Sequence, residues 1–233
     1  ATIINVDRDQ AAKYLFFTPR NGIVKRTSTS QFSNIRTNGL KALKLRDGDE
    51  LINVLRTSGE DEVIIGTHLG YSVRFKGAVV RDMGRAAAGV KGVNLREGDY
   101  VVGTSRIDDS QEVLVISENG LGKRTQASEY PTKGRGGKGM KVMNVTERTG
   151  KLAGLTAVNG DEDLMVITDT GVIIRTNVAN ISQTGRAAQG VKVMRLDDEA
   201  QIVTFALVDP VIEDEEVDAP ELTDETISTD NNE

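Results

Sequence analysis

Short apolar runs on either side of a glycine turn recur four times along the chain. They read YLFFTPRNGIVKRT (14–27), EVIIGTHLGYSVRF (62–75), EVLVISENGLGKRT (112–125) and DLMVITDTGVIIRT (163–176). Two short strands rich in β-branched residues and joined at a glycine are typical of a β-hairpin. No segment keeps a 3.6-residue apolar period over two or more turns, so the pattern predicts an all-β fold.

The four hairpins belong to an internal repeat of about fifty residues. Their turn glycines are Gly22, Gly70, Gly120 and Gly171, which lie 48, 50 and 51 residues apart. An arginine follows each glycine at the same distance, at Arg26, Arg74, Arg124 and Arg175. A fixed period of this length indicates a repeat architecture in which every copy forms one supersecondary unit.

A second shared motif follows each hairpin and contains a glycine and a lysine two residues later. The four pairs are Gly39 and Lys41, Gly89 and Lys91, Gly139 and Lys141, and Gly190 and Lys192. Arg85, Arg135 and Arg186 precede the last three glycines by four residues, whereas Arg36 stands one place off in the first copy. The segments GVKGVNL and GMKVMNV alternate apolar and polar residues, which predicts half-buried strands.

A last strand is predicted after a polar turn in each repeat, at Leu51–Leu55, Tyr100–Thr104, Leu152–Ala157 and Ile202–Leu207. Four strands per repeat predict a β-pinwheel or β-propeller-like array of four-stranded blades. Tryptophan is absent, and so is the tryptophan–aspartate dipeptide of one large propeller class. Residues 1–6 (ATIINV) resemble the last strand of a preceding unit, so we expect the chain to start inside an array.

Charge divides the chain into two predicted parts. Residues 209–233 hold 11 of the 35 acidic residues and no basic one, which leaves residues 1–208 with a net charge of +5. We expect 1–208 to form the folded domain and 209–233 to be a disordered acidic tail. A basic body with an acidic tail suits a nucleic-acid partner, with the tail competing for the same surface. The alternative is that the tail only maintains solubility.

Several kinds of chemistry lack the residues they need. There is no cysteine and a single histidine, His68, which we expect at the surface beside a hairpin turn. Zinc sites and Ser-His-Asp triads are therefore disfavoured, and GRGGKG lacks the spacing of a phosphate-binding loop. No apolar run reaches about 20 residues. We expect a cytoplasmic chain without membrane segment, metal, small-molecule substrate or catalytic site.

Basic residues at repeated positions are the candidate site. Rotational repetition of the blades would place them at equal steps around a disc, where they could contact the phosphates of duplex DNA. The alternative is that each hairpin arginine lies on a solvated strand and pairs with a carboxylate of a neighbouring blade. The predicted contact set is Lys25, Arg26, Arg36, Lys41, Lys44, Arg74, Arg85, Lys91, Lys123, Arg124, Lys133, Arg135, Lys138, Lys141, Arg175, Arg186 and Lys192.

The chain resembles the C-terminal domain of the larger, DNA-cleaving polypeptide of bacterial DNA gyrase, the gyrase A protein. The resemblance covers residues 1 to about 208 and is carried by NGIVKRTSTSQFSNIRTNGLKALKLRDGDELINV (21–54), TSGEDEV (57–63), EYPTKGRGGKG (129–139) and NVTERTG (144–150). It implies a β-pinwheel, in which neighbouring blades exchange strands, and a basic rim that wraps DNA for negative supercoiling. The family's box, Q-[KR]-[KR]-G-G-[KR]-G, is matched at five of seven positions by residues 133–139, in a later repeat than the family places it.

The resemblance also implies partners: double-stranded DNA, the rest of the gyrase A protein, and the gyrase B protein. ATP and Mg²⁺ would be used by other parts of that holoenzyme, so we expect no cofactor in this segment. Two alternatives remain open at this stage. One is the corresponding domain of the topoisomerase IV A protein, and the other is a propeller that binds protein partners.

Overall fold

The computed structural model describes residues 13–33, 37, 39–197 and 200–210. The strand predicted at residues 1–6 and nearly all of the predicted tail lie outside these ranges. The first repeat contributes β1 (Tyr14–Pro19), β2 (Ile23–Ser28) and β3 (Leu51–Thr57). The second contributes β4 (Glu62–Thr67), β5 (Tyr71–Lys76), β6 (Val90–Lys91) and β7 (Val101–Ile107).

The third and fourth repeats follow the pattern of the second. The third holds β8 (Glu112–Ser117), β9 (Leu121–Gln126), β10 (Met140–Lys141) and β11 (Leu152–Val158). The fourth holds β12 (Asp163–Thr168), β13 (Ile173–Asn177), β14 (Val191–Lys192) and β15 (Ile202–Val208). One turn of 3-10 helix follows each hairpin, at Thr29–Phe32, Gly77–Val79, Ala127–Glu129 and Val178–Asn180. In the described ranges no helix is long and apolar enough to cross a membrane.

The four sheets form a ring of antiparallel blades, so the predicted all-β, propeller-like fold is confirmed. Blade 1 has the strand order β3-β1-β2-β6, blade 2 β7-β4-β5-β10, and blade 3 β11-β8-β9-β14. The outermost strand of each of these blades therefore comes from the following repeat. This is the strand exchange that the pinwheel resemblance implied.

Two details differ from the sequence-based prediction. Blade 4 has three strands in the described part of the chain, in the order β15-β12-β13, rather than four. The exchanged strands are also only two residues long, because the chain turns around the hairpin immediately afterwards. In blade 1 the amides of Gly92 and Val93 both donate to the carbonyl oxygen of Gly22, at 2.9 and 3.3 Å.

The hydrophobic core is divided among the blade boundaries. Phe16 of blade 1 and Phe75 of blade 2 are both fully buried, and their ring centroids lie 6.2 Å apart. The inner strands β3, β7, β11 and β15 all line one central cavity of about 290 Å³. Glycine permits the close approach of these strands, since a Cβ on Gly154 would stand 2.6 Å from Cε1 of Phe205.

The exchanged strand imposes a strict requirement for glycine just before it. Gly139 has φ +77°, and a Cβ there would lie 2.6 Å from the carbonyl oxygen of Ser72 on β5. Gly39 occupies the same repeat position with φ +78°, but nothing lies within 4 Å of its Cβ position. The two glycines thus share a left-handed backbone and differ in whether another blade packs against them.

We predict that Gly139→Ala destabilises the fold by about 3 kcal/mol or more, whereas Gly39→Ala costs only about 1–2 kcal/mol. The smaller cost is that of a left-handed alanine, and the larger adds overpacking against a main-chain oxygen. Urea unfolding of both variants measures the difference. Equal losses would show that the exchanged strand does not depend on the missing side chain.

Candidate nucleic-acid interface

The exchanged strands place one lysine per blade at the outer edge of the ring. Lys91 on β6, Lys141 on β10 and Lys192 on β14 each occupy the second residue of the outermost strand, and all three are exposed. Within the described ranges none of these three side chains forms a salt bridge. The repeat therefore leaves three equivalent ammonium groups available to a ligand at the rim.

Other predicted cations gather near these strands. Lys41, Lys44 and Arg85 line one open cleft of about 240 Å³, although they come from two different repeats. Lys133 and Lys138 are exposed and line a separate cavity of about 260 Å³. The sequence placed these residues in one functional set, and the structure brings them together in pairs and triplets.

Arg135 connects two exchanged segments at the boundary of blades 1 and 2. Its Nη1 donates to the carbonyl oxygen of Lys91 at 3.0 Å, and its Nε donates to that of Val79 at 3.3 Å. The amide of Gly136 also donates to the carbonyl oxygen of Gly92, at 2.6 Å. Arg135 remains exposed while making these bonds, so it can position the loop and still present positive charge.

The hairpin arginines have a different role from the one predicted. Arg74 is 5% exposed, and its Nε and Nη2 lie 2.7 and 2.6 Å from Oε2 of Glu62 on the same hairpin. Its Nη1 donates at 2.8 Å to the carbonyl oxygen of Ala127 in the next repeat. Arg74 therefore joins its own blade to the 3-10 turn of the following repeat.

Arg124 and Arg175 repeat the pairing with a carboxylate. Arg124 Nη1 lies 2.6 Å from Oε2 of Glu112, and its Nε donates to the carbonyl oxygen of Ile181 at 2.7 Å. Arg175 is exposed, but its Nε donates to Oδ2 of Asp163 at 2.7 Å. The pairing alternative was therefore closer, except that the carboxylate belongs to the same hairpin and most of these arginines are not solvated.

The first repeat uses an aromatic ring in place of the carboxylate. Arg26 is 9% exposed, and its guanidinium carbon lies 4.4 Å from the ring centroid of Tyr14. Tyr14, Glu62, Glu112 and Asp163 all precede their arginine by twelve residues. This spacing is the sequence signal that identifies the arginine's partner, because a hairpin of this length places the two side chains diagonally across the strands.

Two predicted lysines are fully buried. Lys123 Nζ donates to the carbonyl oxygens of Gly185 and Arg186 at 2.7 and 2.6 Å. Lys25 Nζ donates in the same way to the carbonyl oxygens of Ala42 and Arg85, at 3.1 and 2.5 Å. Each ammonium group thus holds an exchanged segment from within, where a DNA phosphate cannot reach it.

Burial therefore removes Lys25, Arg26, Arg74 and Lys123 from the set that can face DNA. Arg85, Arg124 and Arg186 are partly exposed, and Arg36 lies outside the described residues. The remaining nine are exposed, namely Lys41, Lys44, Lys91, Lys133, Arg135, Lys138, Lys141, Arg175 and Lys192. Whether these exposed side chains contact DNA stays a prediction.

His68 is buried, whereas the sequence had suggested a place at the surface. Its ring stacks on Tyr100 with the centroids 4.2 Å apart, and its Nδ1 lies 3.0 Å from the carbonyl oxygen of Leu152. Its Nε2 is 3.7 Å from Oε1 of Glu118 in the next repeat. His68 therefore bridges blades 2 and 3.

Comparison with known proteins identifies the fold family. The family model described as "DNA gyrase C-terminal domain, beta-propeller" matches residues 13–58, 61–108, 111–159 and 162–209. The chain belongs to this family. The four matched segments coincide with the four repeats that the sequence pattern defined.

Curated relatives with high identity are named as the A polypeptide of DNA gyrase. The protein of Streptococcus pyogenes serotype M3 is 72% identical over 210 residues, which are 90% of this chain and 25% of the relative. The protein of Halalkalibacterium halodurans is 57% identical over 225 residues, 97% of this chain and 27% of the relative. The chain thus spans about a quarter of the length of these relatives.

Solved structures agree on the fold. The crystal structure of the C-terminal domain of DNA topoisomerase IV matches with a TM-score of 0.81 and 26% identity, covering 87% of this chain and 64% of that one. The structure of the DNA gyrase A C-terminal domain matches with a TM-score of 0.74 and 25% identity, covering 88% and 72%. The two structural matches are about equally similar, so the high-identity relatives carry the distinction in favour of gyrase.

The buried lysines have a titration consequence. Burial lowers the pKa of Lys123 from 10.5 to about 8, the charge of Arg186 lowers it further, and Glu129 opposes the decrease. The pKa of Lys25 is lowered by burial and by the charge of Arg85. Between pH 8 and about 10 the unfolded chain therefore binds more protons at these groups than the folded chain, so stability rises with pH.

We predict that Lys123→Met removes part of this rise. Between pH 8 and 9.5 the unfolding free energy of the original chain should climb more steeply than that of the variant, by about 1 kcal/mol per pH unit. Urea unfolding at several pH values measures both slopes, and Lys25 contributes equally to each. Parallel slopes would mean that Lys123 keeps an ordinary pKa in the folded domain.

Proposed function

We propose that this domain binds duplex DNA without sequence specificity and wraps it around the basic rim, and so supports negative supercoiling by the whole gyrase. The observation that carries the proposal is the repeated exposed lysine on the outermost strands, at Lys91, Lys141 and Lys192. Side chains at such positions contact phosphates, which carry no direct sequence information. Membership of the gyrase family supports the same function.

The charge at the rim is sufficient for strong binding. Of the nine exposed cations in the predicted set, only Arg175 is held in a salt bridge among the described residues, which leaves eight. Eight phosphate contacts would give log K against log salt a slope of about −7. Bending 20–30 base pairs by 40–90° costs on the order of 1–6 kcal/mol, which a few charge-assisted contacts at about 1.5–3 kcal/mol each can offset.

Negative charge on other loops would restrict the path of the DNA. Glu60, Asp61, Glu62, Asp108 and Asp109 line a cavity of about 590 Å³ between the blades, where the inner strands lead into the next hairpins. DNA phosphates would be repelled there and attracted to the exchanged segments. This charge pattern supports a wrap that follows the outer strands rather than one that crosses the loops.

The proposed partners are double-stranded DNA, the rest of the gyrase A protein, and the gyrase B protein, acting in the bacterial cytoplasm at the nucleoid. In this proposal ATP hydrolysis and the Mg²⁺-dependent DNA cleavage belong to those other parts of the holoenzyme. Ligation of DNA circles around the domain, followed by relaxation with a topoisomerase, tests wrapping directly. A linking-number shift of one sign supports the proposal, and no shift would contradict it.

We predict that replacing Lys91, Lys141 and Lys192 together by Gln weakens DNA binding equally for all sequences. Three lost phosphate contacts should reduce the magnitude of the salt slope by about 2.7. Fluorescence anisotropy across a salt series measures this slope. A matched control replaces the exposed Lys13, Lys76 and Lys151, which lie outside the exchanged segments, by Gln. An equal reduction in the control would mean that net charge, not the rim, governs binding.

A further inference from the structure

The hairpin position just before the repeated arginine differs among the blades. Blades 1 and 3 have Lys25 and Lys123 there, and each ammonium group donates to the carbonyl oxygens of the exchanged segment above it. Blade 2 has Val73 at the same position, and valine offers no hydrogen-bond donor. The loop of residues 133–139, which crosses onto blade 2, therefore lacks this internal ammonium group.

A cavity of about 260 Å³ lies beneath this loop. It is lined by Ser72 and Val73 from the hairpin and by Lys133, Gly137 and Lys138 from the loop, among others. Ser72 is 1% exposed, and its hydroxyl has no hydrogen-bond partner among the residues that the structure describes. Because a buried hydroxyl without a partner is destabilising, this group favours a polar ligand in the cavity.

The charge of the cavity defines the kind of ligand. Lys133 and Lys138 stand where the loop over blade 1 has Met83 and Ala88, and the loop over blade 3 has Thr184 and Gln189. These replacements add two cations, and none of the lining residues is acidic. Positive charge thus comes from the strand in blades 1 and 3 and from the loop in blade 2.

We propose that this cavity is a phosphate-binding site. A cation entering it would be repelled by two ammonium groups, whereas an oxyanion is attracted by both. The volume exceeds that of several water molecules, which occupy about 30 Å³ each, and so admits one phosphate group. If the proposed function holds, the occupant is a single phosphate of the wrapped DNA.

The test uses inorganic phosphate as the probe on the full chain. In a ¹H–¹⁵N NMR titration at constant ionic strength, the amides of Gly134, Gly137 and Gly139 should shift in a saturable manner. The corresponding glycines of the other loops, Gly84 and Gly185, should not shift. No shift, the same shift in all three loops, or the same response to ammonium chloride would overturn the site.

A filled cavity provides the matching variant. Val73→Met should reduce phosphate affinity at least tenfold, because its side chain occupies the space that the anion needs. The control is Ile174→Met, at the same repeat position on β13 of blade 4, and it should leave phosphate affinity unchanged. Ser72→Ala, which removes one donor and adds no bulk, should weaken binding about fivefold. Unchanged affinity in both Val73→Met and Ser72→Ala would refute the site.

Duplex DNA distinguishes a backbone phosphate from free phosphate. If DNA occupies the site, Val73→Met should reduce the magnitude of the salt slope by about 0.9, the value of one contact. An unchanged slope would show that DNA does not enter the cavity and would overturn that assignment. If the original chain fails to bind DNA at all, the proposed function fails, while the phosphate titration still decides the site.

Discussion

Charged hydrogen bonds from one blade to the main chain of the next repeat hold this domain together. Lys123 and Arg124 are neighbours on β9, and both donate to carbonyl oxygens of the fourth repeat, at Arg186 and Ile181. Ionised donors make hydrogen bonds roughly twice as strong as neutral ones. No blade from 1 to 3 is complete without the following repeat, because its outermost strand and the acceptors of its buried cations come from there.

This arrangement divides the basic residues into two groups with different roles. Cations on the hairpins point inward, as in Lys25 and Arg74, and their charge is matched by carbonyl oxygens or by a carboxylate. Cations on the exchanged segments, such as Lys141, lie on the outer edge and remain exposed. The same repeat thus supplies both the connections between blades and the charged rim, and glycines such as Gly139 allow the exchanged segment to approach closely enough for both.

Much of the fold could be predicted from the sequence, because hairpin signals and a fifty-residue period are local patterns. The strands after the polar turns begin within one residue of the predicted positions, as at Leu152. The roles of the cations were harder to predict. Lys25 and Lys41 are both lysines near a turn glycine, yet one is buried and the other exposed, and this difference depends on which blade the neighbouring repeat covers. The twelve-residue spacing from Glu62 to Arg74 was a usable signal, since it matches a hairpin pair.

The central claim is that exchanged-segment lysines face DNA and hairpin lysines do not. Lysine acetylation followed by mass spectrometry, with and without saturating duplex DNA, tests it at each residue in a single experiment. The account predicts that Lys91, Lys141 and Lys192 react readily and become protected by DNA, while Lys25 and Lys123 are unreactive in both conditions. Reactivity of Lys91, Lys141 and Lys192 that DNA leaves unchanged would contradict the account.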